Sequence, residues 1–242
     1  EYLPEHWQII RWLCGFKGEV ATLILTQEEA LLWTDSRFFI SGAAQLEQTE
    51  VKLMKMKVPG FPTVNEWLSD YVQSHPQAII AGDKRVIFGV GTAYINQNDD
   101  LISPLWTDRP SLPKQMIEIY PATLAGEATA ERLQRIRKAC LKKENDGLFI
   151  SALDEIVWAL NLRGADIQCT PVFVAYLLIT QNGGTLYVDL EKVSVEVAQY
   201  LNELHINIRP YEEGCRIAIS GAEMNLVESN PIALMKSIKN ET

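Results

Sequence analysis

The chain has 242 residues, 47% of them hydrophobic and 22% charged, and 22 basic against 31 acidic side chains leave a net charge of −9. That size suits two domains of ordinary globular composition, and the acidic balance argues against nucleic acid and anionic membrane surfaces, which are met by clustered lysine and arginine. The longest strongly apolar run, residues 172–179, falls far short of the ~20 residues that span a bilayer. Cys14, Cys140, Cys169 and Cys215 are scattered without a CxxC pair, so they read as thiols of a reducing cytosol.

In chain order, Ile10 and Trp12 lie in a short helix. Residues 21–26 and 30–33 read as the strands of a hairpin, and Phe39, Ala43 and Leu46 form one face of a following helix. A proline-rich stretch around Pro104, Pro110, Pro113 and Pro121, with little periodicity, reads as a connection. Thr129 is expected to cap a helix that carries Glu131 in its first turn and Leu133, Ile136, Cys140 and Leu141 at helical spacing. Asn145 or Gly147 is expected to stop it. Residues 148–150 form a short strand, and Ser151 with Asp154 three residues on resembles the start of a helix whose apolar face is Leu153, Ile156, Val157 and Leu160. Residues 171–180 read as a strand covered on both faces. Asn182-Gly183-Gly184 is a hairpin turn, residues 185–188 return as a strand, and Val193, Val197, Leu201 and Leu204 mark the next helix.

The two halves are related. Thr180-Gln181 follows Thr26-Gln27 by 154 positions and Asp189 follows Asp35 by the same 154, while Ile156 and Trp158 follow Ile10 and Trp12 by 146. One α/β unit is therefore used twice, each copy a mixed sheet flanked by helices, with eight extra residues before the second hairpin. The expected division is a first domain over 1–110, a linker over 111–126 and a second domain over 127–242. The first copy lacks the opening helix and strand that residues 129–150 supply to the second, so their counterpart is expected before Glu1. Residues 236–242 read as the start of a helix that continues past Thr242.

The copies differ at one position of chemical interest: the first has Arg37 where the second has Glu191. With Asp35 as an N-cap, Arg37 falls in the first turn, where a cation opposes the helix dipole. Two readings are open. Arg37 either pairs locally with Asp35 while its stem packs on Trp33 or Phe38, or it holds its fork of donors out to a carbonyl or carboxylate. Other chemistry is sparse. His6, His75 and His205 are isolated from one another, and Asp99-Asp100 and Glu212-Glu213 read as solvated pairs, so no metal ligands are expected in this chain. No GxSxG elbow occurs, and Ser36 and Ser151 read as helix-start residues. Gly89-Val90-Gly91 and Gly15-Phe16-Lys17-Gly18 are too short for phosphate loops. Arg163 and Asp166 are read either as partners of one another or as residues facing a partner surface. No catalytic residue is assigned.

Several stretches together resemble one family. Glu1-Tyr2-Leu3-Pro4-Glu5, Trp33-Thr34-Asp35-Ser36-Arg37-Phe38-Phe39 and Leu53-Met54-Lys55-Met56 are similar to the N-terminal domain of three-domain Xaa-Pro aminopeptidases. Trp106-Thr107-Asp108-Arg109-Pro110, Ser151-Ala152-Leu153-Asp154-Glu155-Ile156, Leu160-Asn161-Leu162-Arg163-Gly164-Ala165-Asp166-Ile167 and Pro171-Val172-Phe173 resemble the linker and middle domain. The resemblance implies two tandem creatinase N-terminal-like domains in a cytoplasmic homodimer. Their partner is the protein's own C-terminal catalytic domain of pita-bread fold, in which two Asp, one His and two Glu hold two divalent metal ions, manganese by the family's habit. It implies a peptide substrate with proline in second position, contacted by Arg37, and a chain that is inactive alone. The stretches 83–101 and 213–218 are shorter than the family's. Competing expectations are a protein-binding module of a catalytically dead peptidase-like protein and another member of the prolidase/creatinase group.

Overall fold

The computed structural model describes residues 3–83, 95–98, 100–140, 147–220 and 226–228. Contacts divide the chain into two units, Glu1–Leu112 and Pro113–Thr242.

The first unit opens with α1 (Ile9–Cys14), stopped by Gly15, whose φ of 78° allows the left-handed cap that returns its N–H to Arg11 O. β1 (Ala21–Leu25) and β2 (Ala30–Thr34) form the antiparallel hairpin, α2 (Phe39–Leu46) crosses over, and β3 (Val51–Lys55) runs parallel to β2. α3 (Val64–Ser74) starts on a capping box between Thr63 and Glu66, and β4 (Ile80–Asp83) pairs in parallel with β5 (Ile95–Asn98). Phe16, Leu32 and Leu46 are the centre of the core. Ala43, expected inward, is exposed, and Gly42 is buried in its place. A Cβ on Gly42 would lie 3.0 Å from the Phe16 ring, so the close approach of that ring selects glycine. Near the unit's end Arg109, its side chain 6% exposed, lies 5.0 and 5.6 Å from the Trp7 and Trp106 rings and donates to His6 O, Asp100 Oδ2 and Ser103 Oγ. Asp100 is thus an ion-pair partner rather than a solvated surface residue.

The second unit runs β6 (Glu118–Ile119), α4 (Ala122–Ala125), α5 (Thr129–Cys140), β7 (Gly147–Ile150), α6 (Leu153–Leu160), β8 (Leu162–Arg163), β9 (Ala175–Thr180), β10 (Gly184–Val188), α7 (Val195–Glu203), β11 (Ile206–Pro210), α8 (Tyr211–Ser220) and β12 (Leu226–Glu228). Its mixed sheet has the order β11-β10-β9-β7-β12, and β6 pairs with β8 beside it. Ile136, Ile150, Leu160, Leu177 and Val188 lie at 0% exposure in one continuous core; each such side chain contributes about 1.5–3 kcal/mol. The stretch 111–126, read as a linker, carries β6 and α4, and Ile117 N–H bonds to Lys192 O; Pro113 and Pro121 fall in the second unit and Pro104 and Pro110 in the first.

Several element starts differ from expectation. Thr129 is the first residue of α5, and its hydroxyl bonds the Tyr200 phenol at 2.5 Å instead of capping. Ala152, not Ser151, precedes α6, without a side-chain cap. The strand expected over 171–180 begins at Ala175, and Val172 and Phe173 enter the core from a loop. Asn145, the helix start at 236–242 and Gly89-Val90-Gly91 lie outside the described residues, while Gly147, the other expected end of α5, is the first residue of β7. α8 was not anticipated, and it includes the stretch 213–218. Gly214 inside it lowers helix propensity, but a Cβ there would come within 2.7 Å of Tyr187 Cβ and 2.8 Å of the Tyr176 ring.

The duplication is borne out strand by strand. β1 and β2 pair Ala21 with Thr34 and Leu25 with Ala30. β9 and β10 pair Ala175 with Val188 and Ile179 with Gly184, every residue 154 positions later. β3 and β11 then add in parallel.

Candidate functional site

β2 is buried along most of its length, and its end is fixed by three bonds. Trp33 Nε1 donates to Pro62 O at 2.8 Å, Thr34 Oγ1 donates to Val20 O at 2.6 Å, and Met56 N–H reaches Thr34 O at 3.0 Å, which carries the β2–β3 ladder one residue further. The chain then leaves the carboxyl ends of two parallel strands, the position at which open α/β sheets present ligand-binding groups. Asp35, extended at φ −89° and ψ 174°, caps a single 3-10 turn, Ser36–Phe38, by accepting Arg37 N–H at 3.0 Å.

Arg37 lies in that turn. Its Nε is 3.1 and 3.2 Å from the two Asp35 oxygens and its Nη2 is 2.9 Å from Oδ2, while the guanidinium carbon sits 5.3 Å from the Phe38 ring centroid. Local pairing with Asp35 and packing on Phe38 are therefore what the structure records, with the side chain still 55% exposed. The hydrogen bonds from Arg37, together with the charges of Arg37 and Lys57, hold the Asp35 carboxyl below the usual carboxylate range. Lys55 lies 5.6 Å from the Phe39 ring, and Ile40 in the next turn is 89% exposed. The lip is thus cationic with an apolar edge, suited to a peptide carbonyl or carboxylate.

The second copy repeats the backbone and changes the chemistry. Asp189 accepts Glu191 N–H at the same 3.0 Å. Glu191 reaches instead to Lys114, 2.7 Å away on the surface. Lys192, at the position of Phe38, turns inward and pairs with Asp166, the two side chains being 2% and 0% exposed. Asp166 also accepts Val174 N–H at 2.7 Å. Arg163 does not pair with Asp166: it donates to Val157 O and Leu162 O and lies 4.2 Å from the Tyr120 ring.

A second polar node went unnoticed in the sequence. Arg132, 3% exposed, donates to Glu127 at 3.0 Å, to Asn161 Oδ1 at 2.5 Å and to Trp158 O, and lies 4.7 Å from the Trp158 ring. Arg135 shares Glu127 at 2.7 Å, and Asn161 closes α6 at φ 48°. All this ties α5 to the end of α6 and is architectural. The signal available was Trp158 at the end of a helix followed by Asn161, a residue that tolerates the left-handed cap.

His6 Nδ1 is engaged with Pro110 O at 2.6 Å, and Ser36 and Ser151 are exposed. Cys14, Cys140, Cys169 and Cys215 are free thiols. Among the described residues no group of three or more His, Cys, Asp or Glu side chains is placed to hold a metal ion, so the described side chains do not fit a dinuclear centre. No described helix is long and apolar enough to cross a membrane.

A hairpin, a capped turn, a helix and a parallel strand, used twice, define a creatinase-like α/β architecture. The chain belongs to the creatinase/prolidase N-terminal domain family, whose model matches residues 108–242. It is 35% identical over 211 residues to a probable Xaa-Pro aminopeptidase P of Ajellomyces capsulatus, covering 83% of this chain and 34% of that protein. It is 33% identical over 224 residues to aminopeptidase P2 of Arabidopsis thaliana, covering 88% of this chain and 31% of that protein. The chain thus spans about a third of the length of these relatives. The crystal structure of an X-prolyl aminopeptidase from Caenorhabditis elegans, described as a cytosolic enzyme with a di-nuclear active site, shares the fold. It matches with a TM-score of 0.82 at 24% identity, over 96% of this chain and 44% of that one.

Proposed function

We propose that residues 1–242 are two non-catalytic units of a longer, cytoplasmic, metal-dependent Xaa-Pro aminopeptidase, which releases the N-terminal residue from peptides with proline in second position. In this reading the two units wall the cleft and support a homodimer, and Arg37 contacts the peptide. Hydrolysis and its two divalent metal ions, manganese by this reading, belong to residues outside 1–242. The observation that carries the reading is Arg37, a cation at the carboxyl ends of β2 and β3 that the duplicate copy replaces with Glu191. Similarity to Xaa-Pro aminopeptidases over 83–88% of the chain supports it. An exposed arginine beside a cationic, apolar-edged lip offers charge-assisted hydrogen bonds to a peptide backbone.

The test is steady-state hydrolysis of Xaa-Pro-Xaa tripeptides by the full-length, manganese-loaded protein. Arg37→Ala is expected to raise KM about 10–100-fold, the equivalent of one lost hydrogen bond to a charged group, with the melting temperature unchanged. Absence of proline-dependent release, or wild-type kinetics in the variant, refutes the reading. Residues 1–242 alone are expected to release nothing, and turnover by them refutes the division of labour.

A further inference from the structure

Both hairpins end in an aspartate with the same backbone task. Asp35 Oδ1 accepts Arg37 N–H and Asp189 Oδ1 accepts Glu191 N–H, each at 3.0 Å, so one oxygen suffices to cap the 3-10 turn. In the second copy the residue at i+2 is Glu191, which reaches to Lys114, so the capping aspartate holds no cation there. In the first copy the same carboxylate also takes the Nε and Nη2 edge of Arg37 through contacts of 3.1, 3.2 and 2.9 Å, against the Phe38 ring. We infer that Asp35 is a positioning residue: it fixes the direction in which Arg37 presents its guanidinium to the peptide. The inference rests on the reading of Arg37 as a peptide contact.

The physical case is one of preorganisation. An exposed ion pair contributes little to stability, so its geometric consequence is the larger one. A long arginine side chain left loose loses rotamer freedom when it binds, and a side chain already clamped has less to lose. The hairpin, held in register from Ala21–Thr34 to Leu25–Ala30, provides the fixed base.

The duplicate supplies a matched control. Asp35→Ser keeps an oxygen that caps well and removes the side-on clamp; Asp189→Ser makes the same change where no arginine follows. In the full-length enzyme, Asp35→Ser is expected to raise KM about 2–10-fold with kcat within about twofold. Asp35→Asn is expected to recover part of the loss, Asp189→Ser to leave KM at the wild-type value, and Asp35→Ser to add nothing in an Arg37→Ala background. The 15N relaxation of Arg37 Nε–H, read separately, is expected to show an ordered guanidinium in the wild type and in Asp189→Ser and a mobile one in Asp35→Ser. The inference is overturned if Asp35→Ser leaves KM unchanged while Arg37→Ala raises it, if the two effects add in full, or if Nε–H is equally mobile in the wild type and in Asp35→Ser. A wild-type KM in Arg37→Ala overturns the peptide contact itself, and with it the purpose assigned to Asp35, even where relaxation still shows the clamp.

Discussion

Lys192→Met is expected to destabilise the second unit strongly. Lys192 and Asp166 are 2% and 0% exposed, and their ion pair is enclosed beside Phe173, whose ring lies 6.0 Å from Nζ. Asp166 Oδ2 accepts from Lys192 and from Val174 N–H, and Oδ1 has no hydrogen-bond partner among the described residues. Methionine keeps most of the packing of the lysine stem and removes the charge. The carboxylate is then left in a site shielded from water with one backbone N–H to offset its lost hydration, which costs about 3–5 kcal/mol. A second substitution separates charge from shape: Lys192→Met with Asp166→Asn retains an acceptor for Val174 N–H and buries no ion. It is expected to fold within about 1–2 kcal/mol of the wild type, because a neutral replacement of a buried pair is nearly without cost. Urea-dependent hydrogen exchange, read by mass spectrometry on peptides from β9 and β10, measures both. Peptides from β1 and β2, which belong to the other unit, serve as the internal reference. A single variant that loses less than about 1 kcal/mol, or a double variant no better than the single one, refutes the reasoning.

Gly184→Ala is expected to destabilise the second unit by about 1–3 kcal/mol in thermal unfolding, since a Cβ there would lie 2.5 Å from Leu178 O and 2.8 Å from Ile206 Cδ1; the first copy carries Ala30 at this position. Tyr200→Phe removes the hydroxyl that bonds Thr129 at 2.5 Å and Leu160 O at 2.9 Å, and about 1 kcal/mol is expected to be lost in urea unfolding. The hydrogen bond from Arg135, with that from Arg132 and both charges, holds Glu127 below its ordinary value of 4.5. Its contribution is thus full above pH 4.5 and fades as pH falls toward the lowered folded value. Unfolding free energies from urea titrations at pH 7 and pH 4 should fall further in the wild type than in Glu127→Gln, by less than about 1 kcal/mol; equal falls refute this.

The repeat was legible because it rests on patterns that survive without tertiary context. Apolar runs joined by Asn182-Gly183-Gly184, and an aspartate 154 positions from its twin, set the hairpin and its cap, and strand register followed. The failures share a cause. Ser151 and Thr129 look like caps in isolation, but the Thr129 hydroxyl is committed to Tyr200, 71 residues away. Gly42 and Gly214 look like weak points of helices, yet each is required by an aromatic ring that only the folded chain brings near. Arg163 and Asp166, three apart, take partners on other elements, Tyr120 and Lys192. At Arg37 the sequence left two readings, and the structure adds the clamp by Asp35; the proposed peptide contact is tested by the KM of Arg37→Ala.

The eight extra residues of the second copy account for the divergence between the sites. Six residues separate α1 from β1, whereas fourteen separate α6 from β9, and the longer connection contains β8 and Asp166. In the first copy the residue after Arg37 is Phe38, which packs edge-on to Phe16 at 6.0 Å and needs no counter-charge. In the second, Lys192 takes that inward place, and a buried cation there is tolerable only with an anion beside it; the longer connection delivers one. Outward, the roles reverse: the first copy presents a cation fixed by its own cap, the second an anion tied to Lys114. The second turn has therefore spent its charges on holding its unit together, whereas the first keeps an arginine whose pair with Asp35 contributes little to stability. An arginine still 55% exposed and clamped by its own cap is suited to contact a ligand, and the Asp189→Ser control is what separates that role from a shared structural need.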